Sequence, residues 1–543
     1  MSSIRPGVAW PPPELAKVTA RVDECRVWWE GDPDKLDKFY GGAGRTSPSG
    51  QQSKGLRAAW DAFWGKGNTT TGDAPRRLHA PIAADIAQLS AVSLFAKPPT
   101  ILAADDEFDT VQARVDDLFN VPRFHSALYT AGEKASALSG VYGRVVWDED
   151  IQDGTWIEWI APDYAIPDWQ RGRLRSVTFF TELESDDPRT VWRHMERYER
   201  GRIVHELYLG TPHNLGQLRP LADHEATQNI PVDLDTDGYS YVDLGADVLA
   251  VDYVPNKLPN PEWDNDPKLC NLGGSDIAVD IIPLYHQIDR IYSSLMRDIR
   301  LAQMKVFASS SVLQNRGPGA GLYLPEEQEM FTQVGQMMGK DGDMGSIFQP
   351  YQPAMRVLEH DQAGEILLRE VLRRTGYSPV SFGMSDEVAQ TATEAAGKKE
   401  WTVLTTEGKA RYFGTALQHL TTAALRIDAA KFPGLGVAPS EELSIDWPPF
   451  AQESDIARAQ TVQAWEVAKA ASTRTKVRYL HQDWTEEQID DEVDAIEDAN
   501  TVETPVFGGD APPFDGQPAG EEQPDEERET EEESDGAVPQ EAR

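Results

Sequence analysis

The sequence predicts a multi-domain α+β protein, and three observations predict it. Its 543 residues are too many for one hydrophobic core. Between about residues 140 and 253, short runs rich in β-branched and aromatic residues are separated by turn residues, with no βαβ alternation. Downstream of that block, apolar residues recur at spacings of three and four. Leu284, Ile288, Ile291, Leu295 and Ile299 mark one helical face, and Phe413, Leu417, Leu420, Ala424 and Ile427 mark another.

Composition narrows the class. Hydrophobic residues make up 40% and charged residues 26%, the balance of a chain with an ordinary interior. No apolar run approaches the ~20 residues that span a bilayer. The opening MSSIRPGVAWPPPELAK has no apolar core, so it reads as no secretory signal, which places the chain first in a cytoplasm. Cys25 and Cys270 make neither a disulfide framework nor a cysteine zinc site, and both read as small buried hydrophobes. The net charge is −39, from 51 Lys+Arg against 90 Asp+Glu. A protein that grips a duplex through its phosphates shows the reverse balance. A wall past which a polyanion slides without sticking is compatible with it.

The elements follow in order. Residues 1–130 read as mainly helical, with Trp28, Trp29, Tyr40, Trp60, Phe63 and Trp64 around a glycine-rich loop at 41–55. The string HAPIAADIAQLSAVSLFAKPP at 79–99 is an apolar helix on the spacing Ile82, Ile86, Leu89, Ser93, stopped by Pro98 and Pro99. The runs GVYGRVVWD, TWIEWIAPDYAIPDW, LRSVTFFTEL, TVWRHMERYE and RIVHELYLG predict an antiparallel meander, with turns at Asp153-Gly154 and Glu199-Arg200-Gly201. Ser275-Asp276 reads as an N-cap, and Pro283 as a kink or a restart in a first turn. KVFASSSVL reads as a strand, Gly317 to Gly321 as a loop, the stretch after Pro325 as a polar helix, and SIFQPYQP as a second strand. A helix from His360 to Thr375 carries Ile366, Leu367, Val371 and Leu372. A Ser-, Gly- and Pro-rich loop then leads into the long polar helix. The segment 453–500 reads as a helix through Trp465, a break at 471–473, a short helix, and a last helix. That last helix opens on a Thr485/Gln488 capping box and carries Ile489, Val493 and Ile496. From Thr501 the chain is acidic and rich in Pro and Gly. It has too little apolar surface to offset ordering entropy, and reads as a disordered tail serving solubility or docking a basic partner.

Three separated strings, in the same order, resemble the portal proteins of tailed bacteriophages. They are the turn Phe382-Gly383-Met384-Ser385-Asp386 with the entry Thr391-Ala392-Thr393-Glu394, the string at 79–99 with its FAKPP ending, and SxRTxxxYLHxDWTEEQI at 472–489. The last two are similar to portals of phages that infect actinobacteria. Helix, small α/β insertion and returning helix resemble the stem–clip–stem of these proteins.

The resemblance implies a portal fold of wing, stem, clip and crown that assembles as a cyclic ring of about twelve copies. Its parts would be a wing region at 1–275, a first stem helix at 276–303, a clip at 304–357 and a second stem helix at 358–376. A channel loop, long helix and rest of the wing at 377–450, a helical crown at 451–500 and the tail at 501–543 complete it. It also implies a location at one capsid vertex of a virion, after assembly in host cytoplasm. Double-stranded DNA would pass through the ring during packaging and ejection. The implied protein partners are the terminase large subunit, head–tail adaptors, and the major capsid and scaffold proteins, with no membrane. The channel loop would place Gly383, Met384, Ser385, Asp386, Glu387, Gln390, Thr391 and Thr393 near DNA, and the stem adds Arg290, Arg297 and Arg300. No covalent chemistry is implied. The competing structural reading is a minor capsid or head–tail adaptor protein, against which the length and the helix–insertion–helix unit weigh. A cytoplasmic hydrolase has no residue constellation in its favour.

Motifs for chemistry are sparse. There is no Walker A sequence, no G-x-S-x-G and no H-E-x-x-H, and His205-Glu206 lacks the second histidine that such a zinc site needs. The ten histidines are scattered and read as structural or surface residues. One metal-like string remains. Asp233, Asp235 and Asp237 followed by Gly238 match the opening of a calcium loop, but position twelve is Leu244 and Asp237-Gly238 is equally a hairpin turn. Asp341 and Asp343 are weaker, because Gly345 stands where a third ligand belongs.

Overall fold

The computed structural model describes residues 5–36, 78–236, 238–302, 305–309, 314–315, 322–323, 331–334, 348–351, 356–384, 392–450, 455–481, 484 and 486–501. The chain divides into two compact units, Met1–Ala457 and Arg458–Arg543.

The first unit opens with helix α1 (Pro13–Glu30), which starts on a proline in its first turn and stops at Gly31, in the left-handed conformation that glycine tolerates. Helix α2 (Ile82–Phe95) buries Ile82, Ala83, Ile86, Ala87, Ser90, Ala91 and Leu94. Its buried seam therefore runs through Ser90 and Ala91; the expected stripe residues Leu89 and Ser93 sit at its margin. Strand β1 (Thr100–Leu102) and helices α3 (Phe108–Leu118) and α4 (Pro122–Leu138) follow.

The strand block is antiparallel, as expected, but it is two sheets rather than one meander. Strands β2 (Gly140–Trp147) and β3 (Thr155–Ile160) pair with the late strand β11 (Val251–Pro255) in the order β11-β2-β3. Strands β4 (Ala165–Gln170), β5 (Arg173–Leu183), β6 (Val191–Glu199) and β7 (Arg202–Thr211) form the true meander. The outer edge of β7 is shared. Strand β8 (Asn214–Arg219) pairs along its end, and β10 (Ser240–Asp243), itself paired with β9 (Asp233–Leu234), pairs along its start. The N-terminal segment packs Trp10 and Leu15 with Met195, Tyr208 and Leu215 in a small separate core on one face of this sheet.

Helix α5 (Ile282–Leu301) begins with Pro283 in its first turn. Ser275 and Asp276 do not cap it. Both are buried, and they bond to the end of α4 and to Lys409 instead. The insertion after α5 holds a three-stranded sheet in which β12 (Lys305–Ser309) pairs parallel with β15 (Phe331–Val334) and antiparallel with β16 (Phe348–Tyr351). A two-stranded ribbon of β13 (Gln314–Asn315) and β14 (Leu322–Tyr323) accompanies it. Residues 331–334 are thus a strand where a polar helix was expected; Phe, Thr and Val suit a sheet once β12 offers a partner. Helix α6 (Val357–Thr375) returns against α5, tied at one end by Arg356 and His360 to Asp298, at 2.8 and 3.1 Å. It buries Val371 and Leu372, whereas Ile366 faces solvent.

Helix α7 (Ala392–Lys431) has 40 residues, a rod of about 60 Å. Phe413, Leu417, Leu420, Ala424 and Ile427 are all buried, as the spacing predicts. They join one core with α1, α2, α4 and the β11-β2-β3 sheet. The approach of α7 to that sheet requires a glycine. A Cβ on Gly143 of β2 would lie 2.5 Å from Leu420 and 2.8 Å from Trp159. Gly143→Val is expected to cost about 1–3 kcal/mol through overpacking, read from the denaturant midpoint; an unchanged midpoint would contradict this contact. Strand β17 (Ser444–Asp446) closes the unit by pairing with β1.

Around and within the second unit the chain forms three helices, α8 (Asp455–Ala468), α9 (Thr473–Leu480) and α10 (Glu486–Thr501). Ser472 caps α9 through its hydroxyl, which accepts from the Thr475 amide at 3.3 Å. Trp465 packs on Tyr479 with ring centroids 4.7 Å apart, and Ile489 is buried. Thr485, half of the expected capping box, and the tail from residue 502 lie outside the described residues. Cys25 is buried, with its thiol pushed up to about 11 by burial, whereas Cys270 is only half-buried. Among the described residues no helix is long and apolar enough to cross a membrane.

Candidate functional site

The segment expected near DNA begins at the end of α6. Gly376 ends that helix in a left-handed conformation, and a short 3-10 turn at Pro379–Phe382 follows, opened by Ser378, whose hydroxyl accepts from the Ser381 amide. Gly383 again takes a left-handed conformation, at φ 84°, and no atom lies within 4 Å of where a Cβ would stand. Met384 packs partly against the main core. Ser385, Asp386, Glu387, Gln390 and Thr391 lie outside the described residues, and Thr393 is described only as backbone in the first turn of α7. The start of the segment is therefore anchored, by the buried Tyr377 and by the Ser378 amide, which donates to Thr402 at 2.9 Å.

The three arginines expected near DNA are spread along α5. Arg290 is exposed and donates to Gln287 at 3.4 Å; Arg297, two turns on, is half-buried. The Arg300 side chain lies outside the described residues. Near Arg290 the helix is fixed by Asp289, which is buried and accepts from the Ala80 amide and bonds the His79 ring, each at 2.9 Å. The first half of α5 buries Ile282, Tyr285 and Ile288, while Tyr292, Met296 and Ile299 on its second half are exposed.

The aspartate string is a hairpin joining β9 to β10. The Asp235 amide donates to Tyr239 at 3.0 Å, and Arg202 donates to the Asp235 carboxylate at 3.1 Å. Asp233 lies in β9, opposite Tyr241, and Asp237 lies outside the described residues.

One polar constellation was not foreseen. The two-residue turn Arg200-Gly201 sets Glu196 opposite His205 across β6 and β7. His194 precedes Glu196 by two residues, so all three side chains stand on the same sheet face. His194 Nε2 lies 3.1 Å from His205 Nδ1, and one of these nitrogens carries the shared proton. The possible ligand atoms of His194, Glu196 and His205 all lie within 4.8 Å of one another. Burial lowers the pKa of both imidazoles, that of His205 to about 4, so both are neutral near pH 7. Burial alone would raise the Glu196 carboxyl, but Arg144, bonded to it at 2.6 Å, holds it below the usual carboxylate range. Arg144 also pairs with Glu158 at 2.8 Å and lies over the rings of Phe179 and Tyr198. The histidines are thus not all scattered: sheet register brings two of them together. The signal in the sequence was H-x-E on a strand followed by a short turn.

No family model matches the chain, and no curated protein matches it. The solved structures similar to it at low identity include two particle necks. A chain of the structure described as "Neck of empty GTA particle computed with C6 symmetry" is 12% identical with a TM-score of 0.38, covering 80% of this chain and 95% of that chain. A chain of "Neck of native GTA particle computed with C12 symmetry" is 13% identical with a TM-score of 0.36, covering 74% of this chain and 89% of that chain.

Proposed function

We propose that the chain is the subunit of a portal-type ring, a structural protein that surrounds passing double-stranded DNA at a capsid vertex. The ring would hold about twelve copies in a closed, heterologous assembly, in which one face of each copy meets a different face of the next. The terminase motor would dock on it first and head–tail adaptors later. The sequence strings quoted above give this reading its name. The observation that carries it is the unit formed by α5, the strand insertion and α6, together with apolar side chains left uncovered on the helices around it.

Trp401 is 70% exposed, Ile366 66% and Leu358 73%, and Leu404 lies one turn beyond Trp401 at 55%. Single exposed hydrophobics are ordinary, but several large ones on α6 and α7 mark surface that a partner covers. A neighbouring copy supplies that cover in the ring. In this reading the acidic balance of the chain belongs to a wall along which DNA slides, with contacts too weak to hold it.

The test is the mass of the full chain in solution. The unaltered protein should sediment as a species of about twelve subunits. Trp401→Glu with Leu404→Glu should shift it to monomers with an unchanged far-ultraviolet spectrum. A well-folded protein that stays monomeric across a range of salt would count against the reading, and rings that survive both substitutions would remove Trp401 and Leu404 from the subunit interface.

A further inference from the structure

We propose that His194, Glu196 and His205 form a binding site for one divalent transition-metal ion of the zinc class, held by two imidazole nitrogens and one carboxylate oxygen, with solvent completing the set. The ion would staple β6 to β7 at the centre of the seven-stranded sheet. This inference is independent of the ring assembly.

Three features of the geometry carry it. The first is spacing. Two nitrogens bound to one zinc ion at tetrahedral angles stand about 3.3 Å apart. His194 Nε2 and His205 Nδ1 already stand at 3.1 Å. Their rings lie nearly parallel, 11° apart, with the two nitrogens facing each other, so each ring has to swing by roughly 35° for both lone pairs to meet at one tetrahedral ion. The carboxylate of Glu196, directly across from His205, needs only a side-chain rotation to join them, since all three ligand atoms lie within 4.8 Å.

The second feature is charge. Arg144 sits beside the cluster, and a lone guanidinium there would repel a cation. It is bonded to two carboxylates, Glu196 and Glu158, at 2.6 and 2.8 Å. Two carboxylates and one guanidinium leave one negative charge, which a divalent ion complements. Arg144 also acts as an outer partner that orients the ligating carboxylate, as hydrogen-bonded neighbours do in metal sites. His224 lies nearby against Trp192, but both of its ring nitrogens are engaged, with the Glu184 carbonyl and the Ala226 amide, so it is not a ligand.

The third feature is access. His205 is buried while His194 and Glu196 are half-buried, so the site opens to solvent on one side. An ion can enter without unfolding the sheet. The ligands sit on paired strands rather than on a loop, which fixes their separation before any ion arrives.

The experiment uses the full chain without an affinity tag, stripped with a chelator and titrated with cobalt(II). Expected is one cobalt ion per chain, with the intense visible absorption of a four- or five-coordinate site, displaced by zinc. His194→Gln and Glu196→Gln should each weaken binding by more than the ~10–100-fold that loss of an outer partner costs. His213→Gln, on the exposed turn before β8, should change nothing. Absence of the absorption, or an absorption that neither ligand variant alters, would overturn the proposal and leave a hydrogen-bonded histidine pair beside an ion pair.

Discussion

Lys409→Met is expected to destabilise the first unit by about 3–5 kcal/mol, the cost of stranding a buried charge. Lys409 lies in α7 and is 6% exposed. Its ammonium donates to the Ser90 hydroxyl of α2 at 2.8 Å, to the Tyr377 hydroxyl at 2.9 Å and to the Asp276 carboxylate. Asp276 also receives the Ser136 hydroxyl of α4 at 2.6 Å and the Asn256 amide at 3.1 Å. One cation thus ties the long helix to α2 and, through Asp276, to α4, and joins the segment before α5 to the segment after α6. Burial alone would lower its pKa, but Asp276 and Tyr377 turn it upward, so it stays charged at neutral pH. Methionine keeps the length and removes the charge, so the Asp276 carboxyl group loses its cationic partner and keeps only the neutral donors Ser136 and Asn256. The double variant Lys409→Met/Asp276→Asn should recover at least about 1 kcal/mol of the loss, because the stranded charge is gone. Denaturant titration followed by tryptophan fluorescence reads both. A single variant that loses less than about 1 kcal/mol would mean that this network does not hold the elements together.

Shortening the channel loop is expected to separate assembly from function. Removal of Ser385–Gln390 should leave folding and ring formation intact, because the anchors on either side, Tyr377 with Ser378 and the body of α7, stay in place. If the proposed portal role holds, particles built with the shortened protein should package or retain much less DNA. Beyond Met384, which packs partly against the core, the segment to residue 393 is mostly small and polar, with two carboxylates, Asp386 and Glu387. Its contact with DNA would be weak, independent of sequence and only slightly salt-dependent, since few phosphate counterions are released. If the shortened protein fails to fold, the segment is core structure. If packaging is unchanged, the channel role is wrong.

The parts of this architecture that sequence made legible are those whose order is local. The stripe from Phe413 to Ile427 follows a 3.6-residue period and is buried along its whole length. The strand block announced itself through alternation and turns. What depended on distant pairing was not legible. Nothing local tells that β11 returns to β2 and so cuts the meander into two sheets, or that 331–334 pairs with β12. Ser275-Asp276 has the composition of a cap, yet Asp276 answers Lys409, 133 residues away. Ile299, on the apolar face read for α5, and Ile366, among the apolar residues read for α6, are exposed in the single chain, as they would be if a second copy covers them. The histidine cluster is an intermediate case. Glu199, Arg200 and Gly201 were readable as a turn, and a two-residue turn places Glu196 opposite His205 by counting outward.

A portal subunit, as proposed, closes with further copies into a ring around an open channel. Imaging of the purified full-length protein by electron microscopy tests it most directly. The expected images are end-on rings of about twelve subunits with an open centre wide enough for a duplex. Compact single particles, or oligomers with a filled centre, under conditions where the chain is folded, would contradict it.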